Sequence, residues 1–184
     1  MQTHLHQEKL KYDGSQLSSH FAFRQFGLLG DSVVAFLGPC EVKIDAMVDL
    51  EDVRRDAPIF SREMLSFIVE SFAFDLRAAA AFQRLMVAIV AERLAERKVG
   101  PIRRQGDDLF VGDRKLSVSI AAASPVSSLI HLGLNVDAAG APVPAVGLGE
   151  FGIEGPDFAA QLLSSFQAEY EGLLRATWKV RPVR

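Results

Sequence analysis

Apolar and polar positions alternate most regularly on either side of Gly112-Asp113, within the run from Asp107 to Ile120. Two alternating segments around such a pair predict a β-hairpin closed by a two-residue turn. If the second strand buries Leu116, Val118 and Ile120, the period of two turns Lys115, Ser117 and Ser119 together onto its other face. The same parity applied to Ile130–Val136 faces Ile130, Leu132, Leu134 and Val136 to a core. His131, Gly133 and Asn135 are then left on the opposite side. Together the two segments predict one wall of a polar cleft. Taken by itself, however, a hairpin lysine is usually a solvated edge residue that blocks further strand pairing.

Helical spacing is clearest from Ala78 to Arg97, where Phe82, Leu85, Met86, Ile89 and Leu94 form a stripe that ends before Gly100-Pro101. A second helix is predicted from Pro156 to Trp178, with Phe158, Leu162, Phe166, Tyr170, Leu173 and Leu174 along one side and proline at its start. Both stripes read as core. Asp13-Gly14-Ser15 reads as a turn into a helix carrying Leu17 and Phe21 and stopping near Gly27. Ser32–Leu37 and Glu41–Val48 read as paired strands around Gly38-Pro39. Met64–Phe72 is apolar nearly throughout, so periodicity leaves strand and short helix both open. The tail Lys179, Arg181 and Arg184 reads as a solvated end.

With 184 residues, 49% hydrophobic and 23% charged, the chain has the composition of one globular domain spanning 1–184. A domain of this size buries roughly 70% of its unfolded surface, enough for a core without staples. The net charge of −3 supplies no general attraction to nucleic acid or anionic membrane, and no basic stripe suggests a nucleic-acid partner. No segment has the apolar length of a membrane span, and the first residues lack a signal-peptide core. The single cysteine, Cys40, has no internal disulfide partner, which points to the cytoplasm and to a small buried hydrophobe.

Several motifs carry less than their patterns suggest. Gly147-Leu148-Gly149-Glu150-Phe151-Gly152 has dinucleotide-loop spacing but lacks the following parallel strand, so it reads as a flexible loop bordering the cleft. His4 and His6 have no third ligand at recognisable spacing. No serine-nucleophile elbow is present. Asp107 and Asp108, adjacent in an extended chain, point to opposite faces and cannot grip one ion equally. A salt bridge from Asp108 to Arg103 or Arg104 is the structural alternative to a site role.

The run Arg104-Gln105-Gly106-Asp107-Asp108-Leu109-Phe110, with Val111 to Leu116 after it, resembles the catalytic stretch of biotin protein ligases, Lys-Trp-Pro-Asn-Asp-Leu-Tyr, a short turn, then Arg-Lys-Leu. The spacing matches without a gap. His131-Leu132-Gly133-Leu134-Asn135-Val136 resembles the Gly-x-Gly-x-Asn-Val strand of the same enzymes. A further likeness covers almost the whole chain. Tyr12-Asp13-Gly14-Ser15, Phe26-Gly27-Leu28-Leu29-Gly30-Asp31-Ser32, the Asp107–Ile120 run and Ser124-Pro125-Val126-Ser127 resemble a prokaryotic family catalogued as domain of unknown function 366.

These resemblances imply an α+β fold of the class II aminoacyl-tRNA synthetase and biotin/lipoate ligase type, a mainly antiparallel central sheet flanked by helices. They favour a strand at Met64–Phe72. They also imply a cleft around Lys115 that takes a small carboxylate or nucleotide-like molecule, with ATP and magnesium as the expected cofactors. In that reading Lys115 stabilises developing charge and Asp108 places magnesium. Asn135 binds the ligand or orders its strand, while His131, Ser117, Ser119, Arg104, Asp13 and Ser15 are further ligand-binding candidates. Asp13 and Ser15 are equally read as a helix cap. The chain departs from the ligases in having no Gly-Arg-Gly-Arg-x-Gly-Arg loop; the nearest pair, Arg54-Arg55, sits among Asp49, Glu51, Asp52 and Asp56. Two functions therefore stay open: an ATP-dependent ligase-like enzyme, and a non-catalytic binding or regulatory module on the same fold. A tRNA-related role ranks below both, and a homodimer is among the partners the sequence allows.

Overall fold

The computed structural model describes residues 1–183. Its main sheet joins β1 (Gln2–Leu5), β2 (Ser32–Val42), β3 (Ile59–Ser71), β8 (Ser128–Asp137) and β7 (Ser117–Ala123), side by side in that order. Only β1 and β2 run parallel; the other neighbours are antiparallel. A smaller sheet holds β4 (Ile102–Gln105), β5 (Asp108–Val111) and β6 (Arg114–Lys115).

The strand at Met64–Phe72 is real and longer than its pattern, and its place in the sheet explains the missing periodicity. Leu65, Phe67 and Val69 face one core with Val33, Ala35, Ile130, Leu132 and Leu134, whereas Met64 and Ile68 face another with Val34 and Phe36. A central strand buried on both faces reads as a continuous apolar run rather than an alternation. Helix α3 (Leu76–Glu96) covers β7 and β8, and helix α4 (Gly155–Trp178) covers β1 and β2. The Asp75 carboxylate caps α3 by accepting from the Ala78 amide at 2.7 Å, and Pro156 occupies the first turn of α4. Phe82, Met86, Ile89 and Leu94 of α3 are buried, as are Phe158, Leu162, Phe166 and Tyr170 of α4. Lys179 and Arg181 are exposed; Arg184 lies outside the described residues.

The opposite face of the sheet is covered by the N-terminal third of the chain, and here the structure corrects two expectations. Gly38-Pro39 makes no hairpin: β2 runs on to Val42, its register with β3 shifts between Gly38 and Cys40, and residues beyond Val42 form a short 3₁₀ turn at Ile44–Ala46. The cause is the N-terminal segment, which crosses here. Leu37 and Pro39 carbonyls accept from the amides of Leu10 and Tyr12, both at 2.9 Å, and a Cβ on Gly38 would lie 2.2 Å from the Leu10 oxygen. The second correction concerns the first helix, α1, which spans only Phe21–Phe26, although it ends at Gly27 (φ 70°) as expected. Asp13 and Ser15 precede it in a local turn and do not cap it.

Glu70 of β3 ties the N-terminal segment and the β7–β8 turn together. Its buried carboxylate accepts from the His20 amide and the Ser127 hydroxyl, both at 2.7 Å. Replacing Glu70 by alanine strands both donors and opens a void, and is expected to lower unfolding stability by about 2–4 kcal/mol. Urea denaturation of Glu70→Ala against the parent protein measures this; a loss within a few tenths of a kcal/mol contradicts the assignment.

Candidate functional site

The hairpin at Gly112-Asp113 forms as the sequence predicts: Phe110 pairs with Lys115 and Val111 with Arg114 across a two-residue turn, with Gly112 at φ 60°. Beyond it the chain changes sheets. Lys115 is the last residue of β6 and also bridges Ala145, while Ser117 is the first of β7 and pairs with Leu134. The junction residue Leu116 is fully buried, its amide donating to the Leu109 oxygen at 2.8 Å.

That passage shifts the side-chain alternation by one residue and overturns half of the predicted wall. Because Ser117 and Ser119 sit opposite Leu134 and Leu132, they share the helix-covered face; Val118 and Ile120, opposite Gly133 and His131, face the cleft. Ser117 is buried and its hydroxyl oxygen accepts from the Leu109 amide at 2.8 Å. Ser119 receives a bond from Gln83 of α3 at 2.7 Å and donates to the Asp107 carbonyl, reaching only the edge of the cleft. In β8 the parity is as predicted, with His131 and Asn135 lining the cleft.

The cleft has a volume of about 560 Å³, within the usual range for small-molecule sites. Lys115 and Asp108 stand in its wall as an ion pair at 2.8 Å, each side chain about 30% exposed. Burial raises the Asp108 carboxyl above its ordinary value, and this outweighs the attraction of Lys115. The Lys115 backbone is held from both sides: its amide donates to the Pro144 oxygen at 2.9 Å and its carbonyl accepts from Val146 at 3.0 Å. Asn135 adds a side-chain bond to the same carbonyl at 3.3 Å. It thus orders the lysine strand while bordering the cleft.

His131 is buried against Tyr12, their rings stacked at 3.7 Å, and its Nε2 shares a 3.3 Å hydrogen bond with the Ser66 hydroxyl. Burial pushes its pKa down to about 3, so the ring is neutral near pH 7. Tyr12 belongs to a run the sequence singles out, but for Asp13 and Ser15 rather than for its ring. Those two lie on a separate shallow surface with Lys11 and Glu41. Arg104 is also off the cleft: it is exposed and donates to the Gly106 carbonyl at 2.7 Å. The Gly147–Gly152 run is no flexible border but packs behind β8, where a Cβ on Gly147 would lie 2.3 Å from the Val136 oxygen.

The remaining wall is the stretch between β2 and β3, including helix α2 (Leu50–Arg55). Asp49 caps it by accepting from the Glu51 and Asp52 amides, and Arg55 pairs with Glu51 at 3.0 Å. Asp52 lies on the cleft wall with its carboxyl raised by burial and by Asp49, with Lys115 only partly offsetting both. Its acidic surroundings are visible in the sequence, but nothing local says that they face Lys115. Cys40 is buried, and burial pushes its thiol up to about 12, as suits an inert core residue.

Comparison with known proteins gives a consistent family and fold. A family model described as "Domain of unknown function (DUF366)" matches residues 1–181. Uncharacterized protein MJ0805 of Methanocaldococcus jannaschii is 36% identical, covering 96% of this chain and 82% of that protein. A solved protein of unknown function from Pyrococcus horikoshi superposes with a TM-score of 0.96 at 41% identity, covering 100% of both chains. At the level of fold alone, a mutant biotin protein ligase from Aquifex aeolicus in complex with biotin gives a TM-score of 0.56 at 11% identity, covering 93% of this chain and 70% of the other. A lipoate-protein ligase A bound with ATP gives 0.50 at 14%, covering 92% and 85%. The α+β architecture expected from the sequence is the one these ligases share.

Two outcomes follow from the site's geometry. Ser117→Ala should cost about 1–3 kcal/mol of stability, because the buried Leu109 amide loses its acceptor; ligand affinity should stay unchanged in calorimetry. For His131 the folded chain takes up a proton only near pH 3, whereas the unfolded chain does so near 6.5. The unfolded state then binds more protons in that interval, so stability falls as pH drops from 6.5 toward 3, at about 1.4 kcal/mol per pH unit for this one group. Melting curves of His131→Gln between neutral and mildly acidic pH should be flatter than those of the parent; parallel curves contradict the assignment.

Proposed function

The chain belongs to the family of domain of unknown function 366, and from that premise we propose that it binds a small carboxylate at Lys115 and activates it with ATP, as its ligase-like fold suggests. The observation that carries this reading is the Lys115–Asp108 pair held rigidly in a ligand-sized cleft. The lysine backbone is fixed on both sides, and the Asp108 carboxylate holds its ammonium at the cleft wall at 2.8 Å. It is therefore preorganised to meet negative charge developing on a carboxylate or phosphate oxygen. Asp108, held close to it at 2.8 Å, orients the ammonium. Asn135 fixes the strand on which the lysine stands. ATP would supply the phosphorus that the carboxylate oxygen attacks, with pyrophosphate leaving. Among the described residues no group of three or more His, Cys, Asp or Glu comes together, so the chain offers no resident magnesium site there. Asp108 alone fits only an ion that arrives on nucleotide phosphates, which carry the remaining oxygens.

One observation favours a second reading, a binding or regulatory module without catalysis. The cleft wall opposite Lys115 carries Asp49, Glu51, Asp52 and Asp56, where a triphosphate would meet repulsion. Pyrophosphate release separates the two. With ATP, magnesium and a panel of small carboxylates, the enzyme reading expects release that falls roughly 100- to 1,000-fold in Lys115→Ala, the usual cost of losing one charge-stabilising donor. Lys115→Arg should recover part of it. Carboxylate binding by calorimetry without release from any member of the panel leaves the binding module standing and the enzyme reading refuted.

A further inference from the structure

The charges around the cleft do not balance. Asp49, Glu51, Asp52, Asp56, Asp107 and Asp108 line it against Arg55 and Lys115, and both cations are already paired, with Glu51 and Asp108. Asp49 is taken up in capping α2, and Asp107 accepts from Gln83 at 2.9 Å. Asp56 closes the exposed end of α2. Asp52 is different: half-buried in the wall, it has no side-chain hydrogen bond or ion pair among the described residues.

The rest of the lining supplies no countercharge. The stacked Tyr12–His131 pair is neutral, and Val118, Ile120 and Phe60 add apolar surface to the same lining. A bare divalent ion is poorly served, since the carboxylates do not converge as a ligand set. An organic cation needs only one well-placed carboxylate and a charge-assisted hydrogen bond.

We propose that the substrate is zwitterionic: an amine- or guanidine-bearing small carboxylate whose cationic end pairs with Asp52 while its carboxylate lies at Lys115 and its carbon chain rests on the apolar part of the lining. This rests on the carboxylate reading of Lys115 given above. It also accounts for an acidic wall facing a lysine, because one ligand satisfies both.

The test compares straight-chain ω-amino carboxylates with fatty acids and dicarboxylates of the same lengths, binding to the full chain by calorimetry. At some chain length the amino carboxylate should bind at least about tenfold tighter than its fatty-acid counterpart. Asp52→Asn should erase that preference, and Asp52→Lys should turn it toward the dicarboxylate. A preference for fatty acids in the parent protein, or one for amino carboxylates that survives Asp52→Asn in a folded variant, overturns the proposal and leaves the carboxylate reading intact. No binding in any series at millimolar concentration overturns both. Pyrophosphate release is read in parallel. Its absence alongside an Asp52-dependent preference refutes activation while supporting the zwitterion.

Discussion

Strand β3 has an apolar layer against each of its faces, so neither face can be given to water. Leu65, Phe67 and Val69 need α3 and α4; Met64 and Ile68 need the layer built from Tyr12, Phe21 and Ala22. The second layer is made of loops and one short helix, which is an unusual load for irregular chain, because each buried backbone group there needs a partner. The Glu70 carboxylate and the bonds from Leu10 and Tyr12 to the β2 carbonyls supply such partners. This layer reaches β7 only through partly buried Val118, and the cleft opens where Val118 and Ile120 join its lining.

The site depends on how the chain enters that space. A hairpin that stayed in one sheet would have kept Lys115, Ser117 and Ser119 on a single face. Instead the register changes at Leu116, where burial of one leucine and its bond to Leu109 fix the crossing between two sheets. The lysine ends up beside Val118 and Ile120, and the serines are spent on structure. Sequence alone does not show this, because alternation gives the parity of each strand but not whether two strands are one. The β8 parity is legible for the opposite reason: the strand pairs without interruption from Leu134 to Ser128 and so keeps one phase through His131.

Helices α3 and α4 are legible nearly to their ends, since the apolar stripes, Gly100-Pro101 and Pro156 are local signals. Ser32–Val42 reads wrongly from its residues because Gly38-Pro39 has turn composition, yet the glycine answers the segment that crosses at Leu10. Glycine permits a turn and a close approach equally. Only the fold decides which. Asp52 shows the same limit for chemistry: its sequence neighbours identify an acid-rich stretch, but its role depends on a lysine that the sheet brings into the same cleft.

The electrostatics of the cleft run against stability. Asp108 and Asp52 both have carboxyls raised above their ordinary values by burial, so in each the fold disfavours the charged form. A single salt bridge does not repay that for Asp108, and Asp52 has none. Groups arranged this way gain from whatever brings an opposite charge into the cleft and excludes water from it. A ligand that does so is held partly by the relief of an existing penalty, which makes its affinity sensitive to charge placement more than to contact area. The Lys115–Asp108 pair matters for the same reason: the ammonium is engaged by Asp108 at 2.8 Å and offsets the raised Asp52 carboxyl only in part. Asp52 is left with no ion pair of its own among the described residues, and the acidic wall is there for something else to answer.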